Sequence, residues 1–103
     1  MVSDAPQLTA QTLKVLIALL ESPRDELSGA EIRKSAKLQS GTLYPILLRL
    51  ERVGWLESRW EVEDPQSLGR PRRRYYRVTA LGAQQARAAV QRIKAEVGGL
   101  SWA

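Results

Sequence analysis

The sequence has no cysteine and no histidine. The first absence rules out disulfides, thiol nucleophiles and thiolate metal sites. The second removes the commonest general base and the imidazole ligands of zinc. Carboxylates and lysines remain, but no pair of them is marked out by spacing, so neither an enzyme nor a cofactor is expected. No apolar run approaches the roughly 18 residues that span a bilayer. The opening MVSDAPQLT lacks the basic start and apolar stretch of a secretion signal. A cytoplasmic protein without a membrane partner is the expectation.

A third absence is local. Residues 69–77, GRPRRRYYR, hold five arginines and no carboxylate. The chain as a whole has 103 residues, 44% apolar and 26% charged, with a net charge of +5. That length allows one domain with a modest core. The charge favours a polyanionic partner, while saying nothing about fold.

Between Leu8 and Leu20, Leu13, Leu16, Ile17 and Leu20 fall on one helical face, with Val15 and Leu19 away from it. A helix apolar on more than one side is either central in a core or shared with a second subunit; sharing is favoured in a chain this small. Ser22-Pro23-Arg24-Asp25 ends it. Ser28 and Glu31 then have the spacing of a capping box, predicting a short helix from about Gly29 to Ala36. Lys34 and Lys37 near its end suit either the helix dipole or a phosphate.

After a tight connection, SGTLYPILLRLERVG places Leu43, Ile46, Leu47, Leu50 and Val53 on one face. Gly41, Pro45, Leu48 and Arg52 lie opposite, flanked by Tyr44 on one side and by Thr42 and Arg49 on the other. Ser40 is the expected N-cap and Gly54 the terminator. Pro45 predicts a loosened or kinked first turn. Two short helices with a tight turn between them, the second baring small, polar and basic groups, form a helix-turn-helix pattern.

The rhythm then changes to alternation. Residues 55–62 read as a half-buried strand with Leu56, Trp60 and Val62 in phase; EDPQSLGRP is a loop; and RRRYYRVT puts Tyr76 and Val78 inward, with Arg73, Tyr75 and Arg77 outward. A hairpin directly after a helix-turn-helix makes a winged helix. Cations on such a wing gain by releasing counterions condensed on duplex DNA. Tyr75 is equally a phosphate donor or a cross-strand partner. Glu61, Glu63 and Asp64 at the wing base are expected to point away from phosphate. Thr79 is the expected cap of a last helix in which Ala83, Ala86, Val90, Ile93 and Val97 are spaced 3, 4, 3 and 4, a short heptad-like seam. That seam packs on the first helix or on a symmetry mate. Gly98-Gly99 closes the helix, and Trp102 falls in a loosely held tail. Trp55, Trp60 and Trp102 offer material for an aromatic cavity, but Trp55 and Trp60 read first as core or strand residues.

GTLYPILLRLERVGWLES, a variable loop and GRPRRRYYRVTALG together resemble the PadR-type winged-helix transcriptional regulators, over about Thr9 to Val97. The resemblance implies a mainly α fold with a small β-hairpin, a winged helix-turn-helix followed by a C-terminal dimerisation helix. It implies a homodimeric repressor on a dyad-related (palindromic) double-stranded DNA site, released by a small-molecule effector. The expected layout is a DNA-binding core over 8–79 with its wing at about 62–72, a dimerisation helix over 80–97 and a tail over 98–103. Ser40, Gly41, Thr42, Tyr44 and Arg49 are expected to face DNA from the recognition helix, with Arg70, Arg72, Arg73, Arg74 and Tyr75 from the wing; Gly69 belongs to the same wing contact. Leu48 departs from the pattern, a polar or basic residue being usual there; what it offers is apolar contact with a thymine methyl. Leu13, Leu16, Leu20, Ala86, Val90, Ile93 and Val97 are the expected dimer contacts. The competing reading is a winged-helix interaction module that binds an acidic protein, with Tyr44 and Leu48 exposed together. No aromatic platform of the kind that reads single-stranded RNA is evident.

Overall fold

The computed structural model of the chain describes residues 8–98. The elements run α1 (Ala10–Leu20), β1 (Leu27–Ser28), α2 (Gly29–Ala36), α3 (Ser40–Arg52), β2 (Leu56–Trp60), α4 (Pro65–Leu68), β3 (Arg74–Val78) and α5 (Ala80–Gly98). The three strands form one antiparallel sheet in the order β1-β3-β2. This is a winged helix, mainly α with a small sheet.

Local chemistry fixes most boundaries. Thr9 caps α1, accepting from the Thr12 N–H. The Ser28–Glu31 capping box is present in both directions, at 3.1 and 3.2 Å, and starts α2. Lys37 then turns left-handed (φ 57°), and the Leu38 N–H reaches back to the Arg33 carbonyl. This reversal aims α3 across α2. Gly54 (φ 79°) closes α3: the Trp55 N–H bonds the Leu50 carbonyl and the Gly54 N–H the Glu51 carbonyl, the paired contacts of a Schellman turn. The cap at the other end differs from expectation. Gln39, not Ser40, is the N-cap of α3, it makes no side-chain cap bond, and Ser40 is the first helical residue. α3 runs through Pro45 as one helix.

The core collects Leu16 and Leu19 from α1, Ile32 from α2, Leu43, Leu47 and Leu50 from α3, and Trp55, Leu56, Tyr76 and Val78 from the sheet side. Each such side chain contributes about 1.5–3 kcal/mol of burial, so the α3 stripe dictates which face turns outward. In α1 the core-facing groups are Thr12, Val15, Leu16 and Leu19, rather than the Leu13/Ile17/Leu20 stripe. Leu13 and Leu20 are half-buried and Ile17 is exposed. α5 packs on α1 and buries its own small residues Gly82, Ala83, Ala86 and Ala89.

Three expectations need correction in the hairpin. Leu56 is buried, but β2 ends at Trp60, which is 56% exposed, and Val62, 82% exposed, lies beyond the strand rather than in it. The connection between β2 and β3 contains α4, begun by Asp64 accepting from the Gln66 N–H, with Pro65 in the first turn, and stopped by Gly69 (φ 68°). β1, only two residues long, turns the hairpin into a three-stranded sheet by pairing Leu27 with Tyr76 and Ser28 with Tyr75.

Thr79 joins the sheet to α5. Its hydroxyl donates to the Gly54 carbonyl (2.6 Å) and accepts from the Gly82 N–H (2.9 Å), while its own N–H bonds the Trp55 carbonyl. The predicted closing pair Gly98-Gly99 is half seen, Gly98 being the last residue of α5; Gly99 and Trp102 lie outside the described residues.

Candidate nucleic-acid interface

Burial of Leu43, Ile46, Leu47 and Leu50 leaves Ser40, Gly41, Thr42, Tyr44, Pro45, Leu48 and Arg49 on the outside of α3. Tyr44 and Leu48 are 45% and 51% exposed. The Tyr44 hydroxyl and ring edge lie 2.5 to 3.0 Å from where a Cβ on Gly29 would stand, so α2 supports the side chain from behind.

The wing reaches the same side. Ser28, Gly29, Ala30, Tyr44, Trp60, Arg72, Arg73, Arg74 and Tyr76 line one cleft of about 400 Å³. Arg74 lies over the Trp60 ring at 5.1 Å and faces Glu51 at 3.5 Å. Tyr76 forms the floor, and burial raises its phenol above the ordinary value. Trp60, read as a core or strand residue, is the last residue of β2 and forms a wall of the cleft opposite Arg74 in the β2–β3 register.

Electrostatic pairing sorts the arginines. On the far side of the sheet Arg59 pairs with Glu26 and Arg77 with Glu57, and Arg59 also covers the Tyr75 ring at 5.2 Å. Tyr75 thus occupies the sheet face opposite Tyr76, in a cross-strand contact. Glu61, expected to point away from phosphate, is turned inward: it is 9% exposed and accepts from both guanidinium nitrogens of Arg70, at 2.6 and 3.0 Å, and from the Arg73 N–H at 2.7 Å. Arg70 therefore braces the wing. Arg72 is held by a bond from its Nε to the Glu63 carbonyl (2.9 Å), leaving the rest of its guanidinium outward. Arg49 and Arg52 on α3 and Arg72 and Arg73 on the wing are among the described arginines that join no ion pair. Two of these, Arg72 and Arg73, share the cleft with Tyr44, where a phosphate backbone can meet them.

The expected dimer residues divide. Leu16 and Ala86 are fully buried within the one subunit, so they supply core rather than free surface. Leu13, Leu20, Val90 and Ile93 are half-buried and Val97 is exposed, with Ile17 beside them on α1. Among the described residues no three acidic side chains converge to hold a metal ion, and no helix is long and apolar enough to cross a membrane.

Comparison with known proteins places this arrangement. Residues 19–88 match the model of the Transcriptional regulator PadR-like family. No curated protein sequence matches the chain. Among solved structures, a transcriptional regulator homologue from Pyrococcus horikoshii OT3 is 27% identical with a TM-score of 0.70, over 87% of this chain and 82% of that one. The protein smu.1704 from Streptococcus mutans UA159 is 25% identical with a TM-score of 0.66, over 88% of this chain and 84% of that one. Overoxidised AbfR bound to DNA is 27% identical with a TM-score of 0.67; the match takes in 85% of this chain and 59% of AbfR.

Proposed function

Because the chain belongs to the PadR-like family of transcriptional regulators, we propose that it is a homodimeric repressor that binds a palindromic site in duplex DNA. The carrying observation is the cleft in which Tyr44 of α3 and Arg72, Arg73 and Arg74 of the wing share one side of the molecule. That AbfR of similar fold was captured on DNA supports the same reading.

In this mechanism the N-terminal half of α3 enters the major groove. Ser40, Thr42 and Tyr44 offer hydroxyls to base edges or phosphates, Gly41 permits close approach, and Leu48 offers apolar contact to a thymine methyl. Arg49, Arg72 and Arg73 take phosphates on either side. Two subunits joined through α1 and the outer half of α5 set their recognition helices about 34 Å apart, one helical turn of DNA. The apolar groups left on that surface, Ile17 and Val97 foremost, support the pairing. A small effector that alters the packing of this seam changes the spacing and releases the DNA.

Selection from a randomised duplex pool tests the reading. Enrichment of a palindrome with half-sites one turn apart is the expected result. Binding to any duplex at low salt without enrichment contradicts it and favours a protein-interaction module, for which exposed Tyr44 and Leu48 would be the contact.

A further inference from the structure

We propose that Glu61 is a positioning residue for DNA recognition: a carboxylate inside the wing that tightens specific binding although its charge opposes phosphate. The inference rests on the duplex-DNA reading above.

Charge arithmetic alone makes the opposite statement. Removing one negative group from an arginine-rich wing raises its net charge and its attraction for a phosphate backbone. The geometry outweighs this. Glu61 stands at the end of β2, and its N–H donates to the Arg73 carbonyl at 2.9 Å. Its carboxylate closes the same gap from the side: Oε1 accepts from the Arg73 N–H (2.7 Å) and from Arg70 Nη1 (2.6 Å), and Oε2 from Arg70 Nη2 (3.0 Å). Arg70 Nη1 donates on to the Pro71 carbonyl at 3.1 Å. One nearly buried side chain thus ties both ends of the loop that carries Arg72 and Arg73. These bonds are charge-assisted, with the guanidinium taken in the two-pronged manner that fixes orientation as well as distance.

A loop of this length, left open, must be ordered when it meets DNA, and that ordering subtracts from affinity. With the clasp closed, the entropy is lost on folding instead. The clasp also assigns Arg70 a role different from that of its neighbours. Both of its outer nitrogens are occupied by Glu61, so it transmits the position of the loop, whereas Arg72 and Arg73 present their free nitrogens to solvent.

The test uses the full chain and DNA enriched by the wild-type protein. Affinity of Glu61→Gln is measured for that DNA and for random duplex across a salt series, with thermal melting and amide exchange recorded in parallel. The expected result is about a tenfold loss on the selected DNA, with random-duplex affinity unchanged or raised, and faster exchange of the Arg73 N–H. The paired exchange E61R/R70E, which keeps the net charge, regains selected-DNA affinity relative to Glu61→Arg alone. Equal or tighter binding of selected DNA by Glu61→Gln overturns the inference while leaving the DNA reading intact, as does a paired exchange no better than the single one. Failure of the wild-type protein to enrich any sequence overturns the DNA reading and this inference with it.

Discussion

The hydroxyl of Tyr44 in α3 rests against the bare Cα of Gly29 in α2, where an added Cβ would stand 2.5 Å from the phenolic oxygen. Alanine is the better helix former, and Gly29 has no left-handed backbone to protect. Gly29→Ala therefore leaves thermal stability equal or slightly higher while pushing Tyr44 off its seat. Affinity for the selected DNA falls about tenfold, equivalent to roughly 1.4 kcal/mol. Anisotropy titration beside a melting curve checks both signs; unchanged affinity contradicts the placement of Tyr44 in the interface.

Gly82 makes the contrasting case. A Cβ there would overlap the carbonyl and Cα of Trp55, backbone atoms that cannot swing aside. Gly82→Ala is expected to destabilise the fold by about 1–3 kcal/mol through overpacking, lowering the urea midpoint. A midpoint equal to or above that of the parent contradicts the close packing of α5 on the start of β2.

The Arg70 guanidinium, aided by the Arg73 N–H, holds the Glu61 carboxyl at about 2, below the ordinary 4.5, against the opposing pull of burial. A carboxyl depressed in this way contributes stability that is whole above its unfolded value and lost as pH falls toward the folded one. The difference in denaturation midpoint between the parent and Glu61→Gln is thus expected to be constant above about pH 5 and to shrink between about pH 4.5 and 2. A difference that persists undiminished at the acid end contradicts the ion pair.

Ile17 is exposed on α1 in the single subunit, so Ile17→Asp costs the isolated fold little, within about 0.5 kcal/mol. In the proposed dimer it places a charge in the seam. Sedimentation is expected to show the parent as a dimer and the variant as a monomer with unchanged circular dichroism. A monomeric parent contradicts the assembly.

What the sequence revealed depended on how local the cause was. The Ser28–Glu31 box, the Gly54 terminator and the Leu43/Ile46/Leu47/Leu50 stripe are each set within a turn or two, and each stands as read. Leu56 and Trp60 share one side of β2 as the alternation predicts, yet alternation does not show where the strand stops, and Val62 lies beyond it. β1 is too short to show any period, and only Tyr75 and Tyr76 across the sheet define it. Glu61 was read by its charge, because its partners Arg70 and Arg73 are 9 and 12 positions away and meet it only when the wing closes. Leu16 is among the expected dimer contacts, while the single subunit already buries it fully.

The central claim is that the exposed half of α3 and the wing act as one surface, and amide chemical shifts on titration with selected duplex test it most directly. The account predicts that residues 40–49 and 70–74 shift together, with Glu57 and Arg77 on the far face of the sheet unmoved. Shifts confined to the Glu26, Glu57 and Arg77 side, or to α3 with the wing silent, would contradict it.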